Sequence, residues 1–110
     1  FNFAITNVHK NVNDLLEKMQ WDKEEVGLYA LHQANDFMVN YVRKKLKAPI
    51  EKVPTNVANY GNTGPATIPL LFSDICSRQS YDLSKVVMSG FGVGLSWGSI
   101  ATNLSVTKLI

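Results

Sequence analysis

Val26-Gly27-Leu28-Tyr29-Ala30-Leu31-His32-Gln33-Ala34-Asn35 reads as an apolar strand that runs into a polar junction and then into a helix. The run is short and uncharged, and the polar turn Asp22 to Glu25 bounds it upstream, which suits a strand buried on both faces. A helix is predicted from about Ala34, with Phe37, Met38, Tyr41, Val42 and Leu46 as its apolar face and Pro49 closing it. Upstream, Val8, Val12, Leu15, Leu16 and Met19 recur at helical spacing among Asn, Lys, Asp and Glu, so an amphipathic helix is predicted near 3 to 19. That helix needs a sheet to cover.

Downstream, Thr55 to Ala58 is predicted as a strand starting beside Pro54, which cannot donate to a ladder and so marks an edge or a strand start. Gly61-Asn62-Thr63-Gly64-Pro65 gathers turn residues, with Thr63 as a candidate N-cap. Ile68, Leu71, Phe72 and Ile75 then supply a helical face, and Pro69 should bend that helix's first turns. Val86-Val87-Met88 reads as a buried strand, Gly92-Val93-Gly94 as a turn, and Trp97 to Leu104 as the returning strand. The order α-β-α-β-α-β-β implies an α/β layered architecture with parallel crossovers and a final antiparallel hairpin.

Composition narrows the function classes. At 110 residues, 45% hydrophobic and 18% charged, the chain is sized for one domain or part of one. A formal charge of +2 is too mild to argue for nucleic acid. The single cysteine, Cys76, cannot form an internal disulfide, and no apolar run is long enough for a membrane span. These features fit a cytoplasmic protein. Cys76 sits on a helical apolar face as a small packed hydrophobe, and together with His9 and His32 it forms no recognised metal spacing, so no metal is expected.

His32 and Asn62 are the candidates for chemistry. A histidine after an apolar strand is commonly an ordinary hydrogen-bonded core residue. Here, however, both residues are predicted to lie outside the carboxyl ends of parallel strands, where catalytic groups gather. Asn35, with Gln33 and Ala34, has a plain reading as the start of a helix, capping its orphan amides.

Leu31-His32-Gln33-Ala34-Asn35, followed thirty residues after His32 by Asn62 within Tyr60-Gly61-Asn62-Thr63-Gly64-Pro65-Ala66-Thr67-Ile68-Pro69, closely resembles the C-terminal half of the β-ketoacyl-acyl carrier protein synthase III family. Ser89-Gly90-Phe91-Gly92-Val93-Gly94-Leu95-Ser96-Trp97-Gly98-Ser99 is similar to that family's glycine-rich closing hairpin. The resemblance implies a thiolase-like fold and an acyltransferase that condenses an acyl starter with a malonyl thioester, with decarboxylation. His32 and Asn62 are implied as catalytic residues, with Ala34, Asn35, Phe91, Gly92 and Gly94 lining the substrate channel and acyl pocket. Val93 departs from the family's usual glycine. Lys44 and Lys45 align with its docking surface for acidic acyl carrier protein, although basic residues at a helix end also simply oppose the dipole.

Coenzyme A thioesters and acyl carrier protein are the implied partners. The resemblance implies a homodimer for the parent enzyme and requires no cofactor. No residue matches the family's nucleophilic cysteine, and no strand precedes Phe3. Residues 1–110 are therefore expected to be a C-terminal portion lacking one sheet strand and the nucleophile-bearing half, inactive alone, with apolar surface left uncovered. The alternatives are a non-catalytic thiolase-fold binding or dimerisation module, or a related synthase of polyketide or specialised lipid synthesis.

The chemistry explains the residue types. Decarboxylation moves charge onto the thioester oxygen, so two fixed neutral donors that tighten as the enolate forms lower the barrier, whereas a carboxylate at either place would repel it. Two competing motifs fail on context. Gly90-Phe91-Gly92-Val93-Gly94 is predicted to lead into a strand and not a helix N-terminus that could hold phosphate. Gly94-Leu95-Ser96-Trp97-Gly98 matches the nucleophile elbow of serine hydrolases by letter, yet an extended segment follows Ser96 where an elbow needs a helix.

Overall fold

In the computed structural model, which describes residues 2–92 and 96–106, the elements follow in the order α1 (Asn2–Met19), β1 (Leu28–Leu31), α2 (Asp36–Leu46), α3 (Val57–Tyr60), α4 (Thr67–Arg78), β2 (Val86–Gly92) and β3 (Ser96–Thr102). Single 3-10 turns stand at Lys23–Glu25, Ile50–Lys52 and Gly64–Ala66. The strands form one mixed sheet in the order β1-β2-β3. β1 pairs parallel with β2, Leu31 opposite Ser89, and β2 pairs antiparallel with β3, Ser89 opposite Ser99.

All four residues of β1 are buried because both faces of the sheet are covered. Tyr29, Leu31 and Val87 pack with Val8, Val12 and Leu16 of α1 and Val39, Val42 and Leu46 of α2. On the other face Leu28, Ala30 and Val86 meet Leu71, Phe72 and Ile75 of α4. Alternate side chains thus serve opposite layers, and a fully buried leucine such as Leu28 contributes roughly 2 kcal/mol through burial. Gly27 precedes β1 where backbone passes closely: its amide donates to the Lys85 carbonyl at 2.9 Å. The loop is also held by an ion pair between Lys85 and Glu25.

Three expectations are corrected. Residues Thr55 to Ala58 do not form a strand; Val57 begins α3, so the order is α-β-α-α-α-β-β and the sheet has three strands. The backbone amide of Asn56 is committed to a side chain, Gln33 Oε1 at 3.0 Å, and not to a ladder. Phe37 and Tyr41 are not in the core layer: Phe37 is 65% exposed, and Val39 takes the buried place beside Met38 and Val42. Thr63 makes no side-chain cap; its chain enters the 3-10 turn first, and α4 starts at Thr67. Pro69 then falls in the first turn of α4, where its missing N–H leaves no intrahelical bond unmade.

On α2, Asn35 caps the N-terminus by accepting from the Met38 amide at 2.8 Å. At the other end Lys47 adopts the left-handed conformation, φ 57° and ψ 35°, and stops the helix before Pro49. The hairpin face away from α1 is the less covered one. Trp97 and Ile100 are 41% and 59% exposed, and with Ile68, Met88 and Phe91 they border an open hollow of about 540 Å³. No described helix is long and apolar enough to cross a membrane.

Candidate functional site

His32 follows β1 directly, and its backbone amide extends the ladder by donating to the Ser89 carbonyl at 2.9 Å. The imidazole therefore stands at the carboxyl end of a parallel pair, as its sequence position predicts. Its Nδ1 lies 2.5 Å from Oγ1 of Thr67, the first residue of α4. The Phe91 ring meets the imidazole edge to face, with centroids 5.1 Å apart and planes at 86°. Three elements, β1, α4 and β2, thus hold one side chain. Burial shifts the His32 pKa down from its ordinary 6.5, so the ring is neutral at pH 7 and presents one donor and one acceptor.

Asn62, expected at the end of a parallel strand, instead follows the short helix α3, in the exposed loop between α3 and α4. Glycines with left-handed backbones, Gly61 at φ 69° and Gly64 at φ 67°, flank it closely, and a side chain at either would strain the turn. The Asn62 Oδ1 accepts from the Gly64 amide at 3.0 Å. This Asx turn uses the oxygen end of the carboxamide, so Nδ2 is the end that carries donors. The contact between Thr67 and His32 brings the start of α4 to the end of β1, and Asn62 lies on the loop that enters that helix.

Of the remaining candidates, Asn35 is the α2 cap described above and Ala34 sits half-buried before it. Phe91 touches His32, and Gly92 ends β2 with open space around the position a Cβ would take. Gly94 lies outside the described residues. Lys44 and Lys45 are exposed in the last turn of α2, with the Lys45 Nζ 5.5 Å from the Tyr41 ring centroid. Arg43 instead turns back to the Ala48 carbonyl at 3.3 Å. Cys76 is half-buried, and burial pushes its thiol pKa up, away from thiolate reactivity.

Gln33, read from the sequence as structural, is 1% exposed and bridges the site's loops: its Nε2 donates to the Leu31 carbonyl at 2.8 Å, and its Oε1 accepts from the Asn56 amide. Thr67 was not singled out in the sequence: it is a polar residue at a core position of α4, one turn ahead of Leu71 and two ahead of Ile75, and that polarity was its signal. Gln33→Leu keeps the volume but strands a buried amide, and is expected to cost about 2 kcal/mol. Urea unfolding measures it; an unchanged midpoint would show that the bridge contributes nothing.

Residues 16–104 match the family model described as 3-Oxoacyl-[acyl-carrier-protein (ACP)] synthase III C terminal. The chain belongs to this family. The chain is 42% identical over 107 residues to the Beta-ketoacyl-[acyl-carrier-protein] synthase III of Lactococcus lactis subsp. lactis, covering 94% of this chain and 33% of that protein. The Streptococcus gordonii synthase III is 37% identical with the same coverage. The crystal structure of 3-oxoacyl-(acyl carrier protein) synthase III from Pseudomonas aeruginosa PAO1 superposes with a TM-score of 0.84 at 35% identity, covering 94% of this chain and 32% of that one. The synthase III segment described here therefore spans about a third of the length of its relatives, and its three-stranded sheet with helices on both faces is the corresponding part of the thiolase-like fold.

Proposed function

We propose that this segment supplies the two oxyanion-stabilising donors of a decarboxylating β-ketoacyl-acyl carrier protein synthase III that joins an acyl starter to malonyl-acyl carrier protein. The observation that carries the reading is the neutral His32 imidazole, fixed at the carboxyl end of β1 by Thr67 and Phe91. A neutral N–H and the Asn62 NH2 strengthen their hydrogen bonds as the malonyl carboxylate leaves and negative charge reaches the thioester oxygen. The starter is carried on a cysteine outside this segment, because Cys76 is packed and its thiol is not activated. Residues 1–110 thus act as the C-terminal portion of a synthase, inactive without the nucleophile-bearing portion, in a cytoplasmic homodimer. Ala34, Asn35, Phe91 and Gly92 line the path of the pantetheine arm and acyl chain.

The test separates the two half-reactions in a full-length synthase carrying this segment. Malonyl turnover is measured beside radiolabelled starter loading for His32→Ala and Asn62→Ala. Equal loss of both half-reactions in a folded protein overturns the assignment.

The exposed pair Lys44 and Lys45 supports docking of the acidic carrier. Lys44→Glu with Lys45→Glu is expected to raise the apparent KM for malonyl carrier protein several-fold while leaving that for a small malonyl thioester near wild type. Raising salt should shrink the penalty by screening the same field. Equal, salt-independent penalties on both substrates would place the damage in the pocket and remove the docking role.

A further inference from the structure

The proton on His32 has two possible homes, and the Thr67 hydroxyl decides between them. Thr67 is 3% exposed, and His32 Nδ1 is the partner of its hydroxyl among the described residues. If Nδ1–H donated to the threonine oxygen, the hydroxyl's own proton would have no acceptor in a buried site, a cost of about 1–3 kcal/mol. If the hydroxyl donates to Nδ1, only spare lone pairs go unused, which costs far less. The second arrangement leaves the ring's one proton on Nε2.

We infer that Thr67 is a positioning residue whose hydroxyl donates to Nδ1 of His32 and thereby holds the proton on Nε2, the nitrogen left to meet the substrate oxygen. The inference rests on the reading of His32 as an enolate-stabilising donor and names the residue that sets its tautomer. Phe91 completes the device. Its ring stands at 86° to the imidazole and fixes the plane in which the ring lies, while a 180° flip within that plane would set a carbon against Thr67 and forfeit its bond. A bare Nε2 lone pair would face an oxygen gaining negative charge and repel it, so the tautomer matters to rate as well as to packing.

The test uses the full-length protein labelled with nitrogen-15 in its histidine rings, with the His32 signals assigned by their loss in His32→Ala. At neutral pH the wild type and Thr67→Ser are expected to show a protonated Nε2 and a hydrogen-bonded, unprotonated Nδ1. Thr67→Val, similar in volume without the hydroxyl, should move the signals towards the tautomer mixture of a free imidazole. It should also slow malonyl decarboxylation about tenfold, the equivalent of one neutral hydrogen bond, with starter loading spared and the rate restored in Thr67→Ser. A wild-type His32 protonated on Nδ1 overturns the inference whether or not the variants fold. Wild-type shifts and rate in Thr67→Val also overturn it. A wild type with the expected tautomer but no malonyl turnover would support the inference and sink the condensing-enzyme reading, so the two failures are distinguishable.

Discussion

His32→Ala in a full-length synthase carrying this segment is expected to slow malonyl decarboxylation about a hundredfold or more, equivalent to roughly 3 kcal/mol of transition-state stabilisation. Asn62→Ala should cost a similar factor. Both residues are assigned to the oxygen that gains charge as carbon dioxide leaves, and neither is assigned to attack on the incoming starter. Loading of the starter should therefore fall much less than decarboxylation. The double variant should lose less than the product of the two single losses, because two donors on one oxygen act as a unit. Single-turnover assays of each half-reaction measure these quantities. A decarboxylation rate within about twofold of wild type in His32→Ala would remove the imidazole from the mechanism.

The largest effect on stability is expected at Gly27. An alanine Cβ there would stand 2.0 Å from the Asp82 backbone oxygen and 3.0 Å from both the carbonyl carbon and the Cβ of that residue. The loop is not free to yield. Leu83 accepts from the Leu104 amide at 2.7 Å, Ser84 is tied to the Asp82 carboxylate, and Lys85 accepts the Gly27 amide while its side chain pairs with Glu25. Gly27→Ala should cost about 3 kcal/mol, as overpacking against backbone does. Gly98→Ala is the control: its Cβ meets nothing within 4 Å, so it should stay within about 0.5 kcal/mol of wild type. Equal urea midpoints for the two variants would show that the approach at Gly27 is not tight.

Residues whose neighbours lie close in sequence were the readable ones. The helical period of Val8, Val12 and Leu16 and the unbroken apolar run of β1 gave the layers, and the position of His32 at the end of that run needed no partner to be seen. The segment Thr55 to Ala58 was misread because its backbone is directed by Gln33, a residue 23 positions away, and no local pattern records such a bond. Phe37 was placed in the core because apolar character implies burial only in the average; it is 65% exposed, while Val39 supplies the contact. Thr67 stayed hidden for a related reason. A threonine opening a helix looks like a terminus residue until the imidazole 35 positions earlier is brought against it.

That separation orders events during synthesis on the ribosome. When α2 has emerged, His32 is present but the groups that hold it are still to come: Thr67 arrives with α4 and Phe91 only at the end of β2. The β1 ladder that aligns His32 also waits, since Ser89 must close a loop of more than fifty residues before it can accept the His32 amide. The end of the sheet that carries His32 is thus completed only once β2 has formed, and a nascent chain halted before β2 carries His32 and Asn62 without the geometry around them.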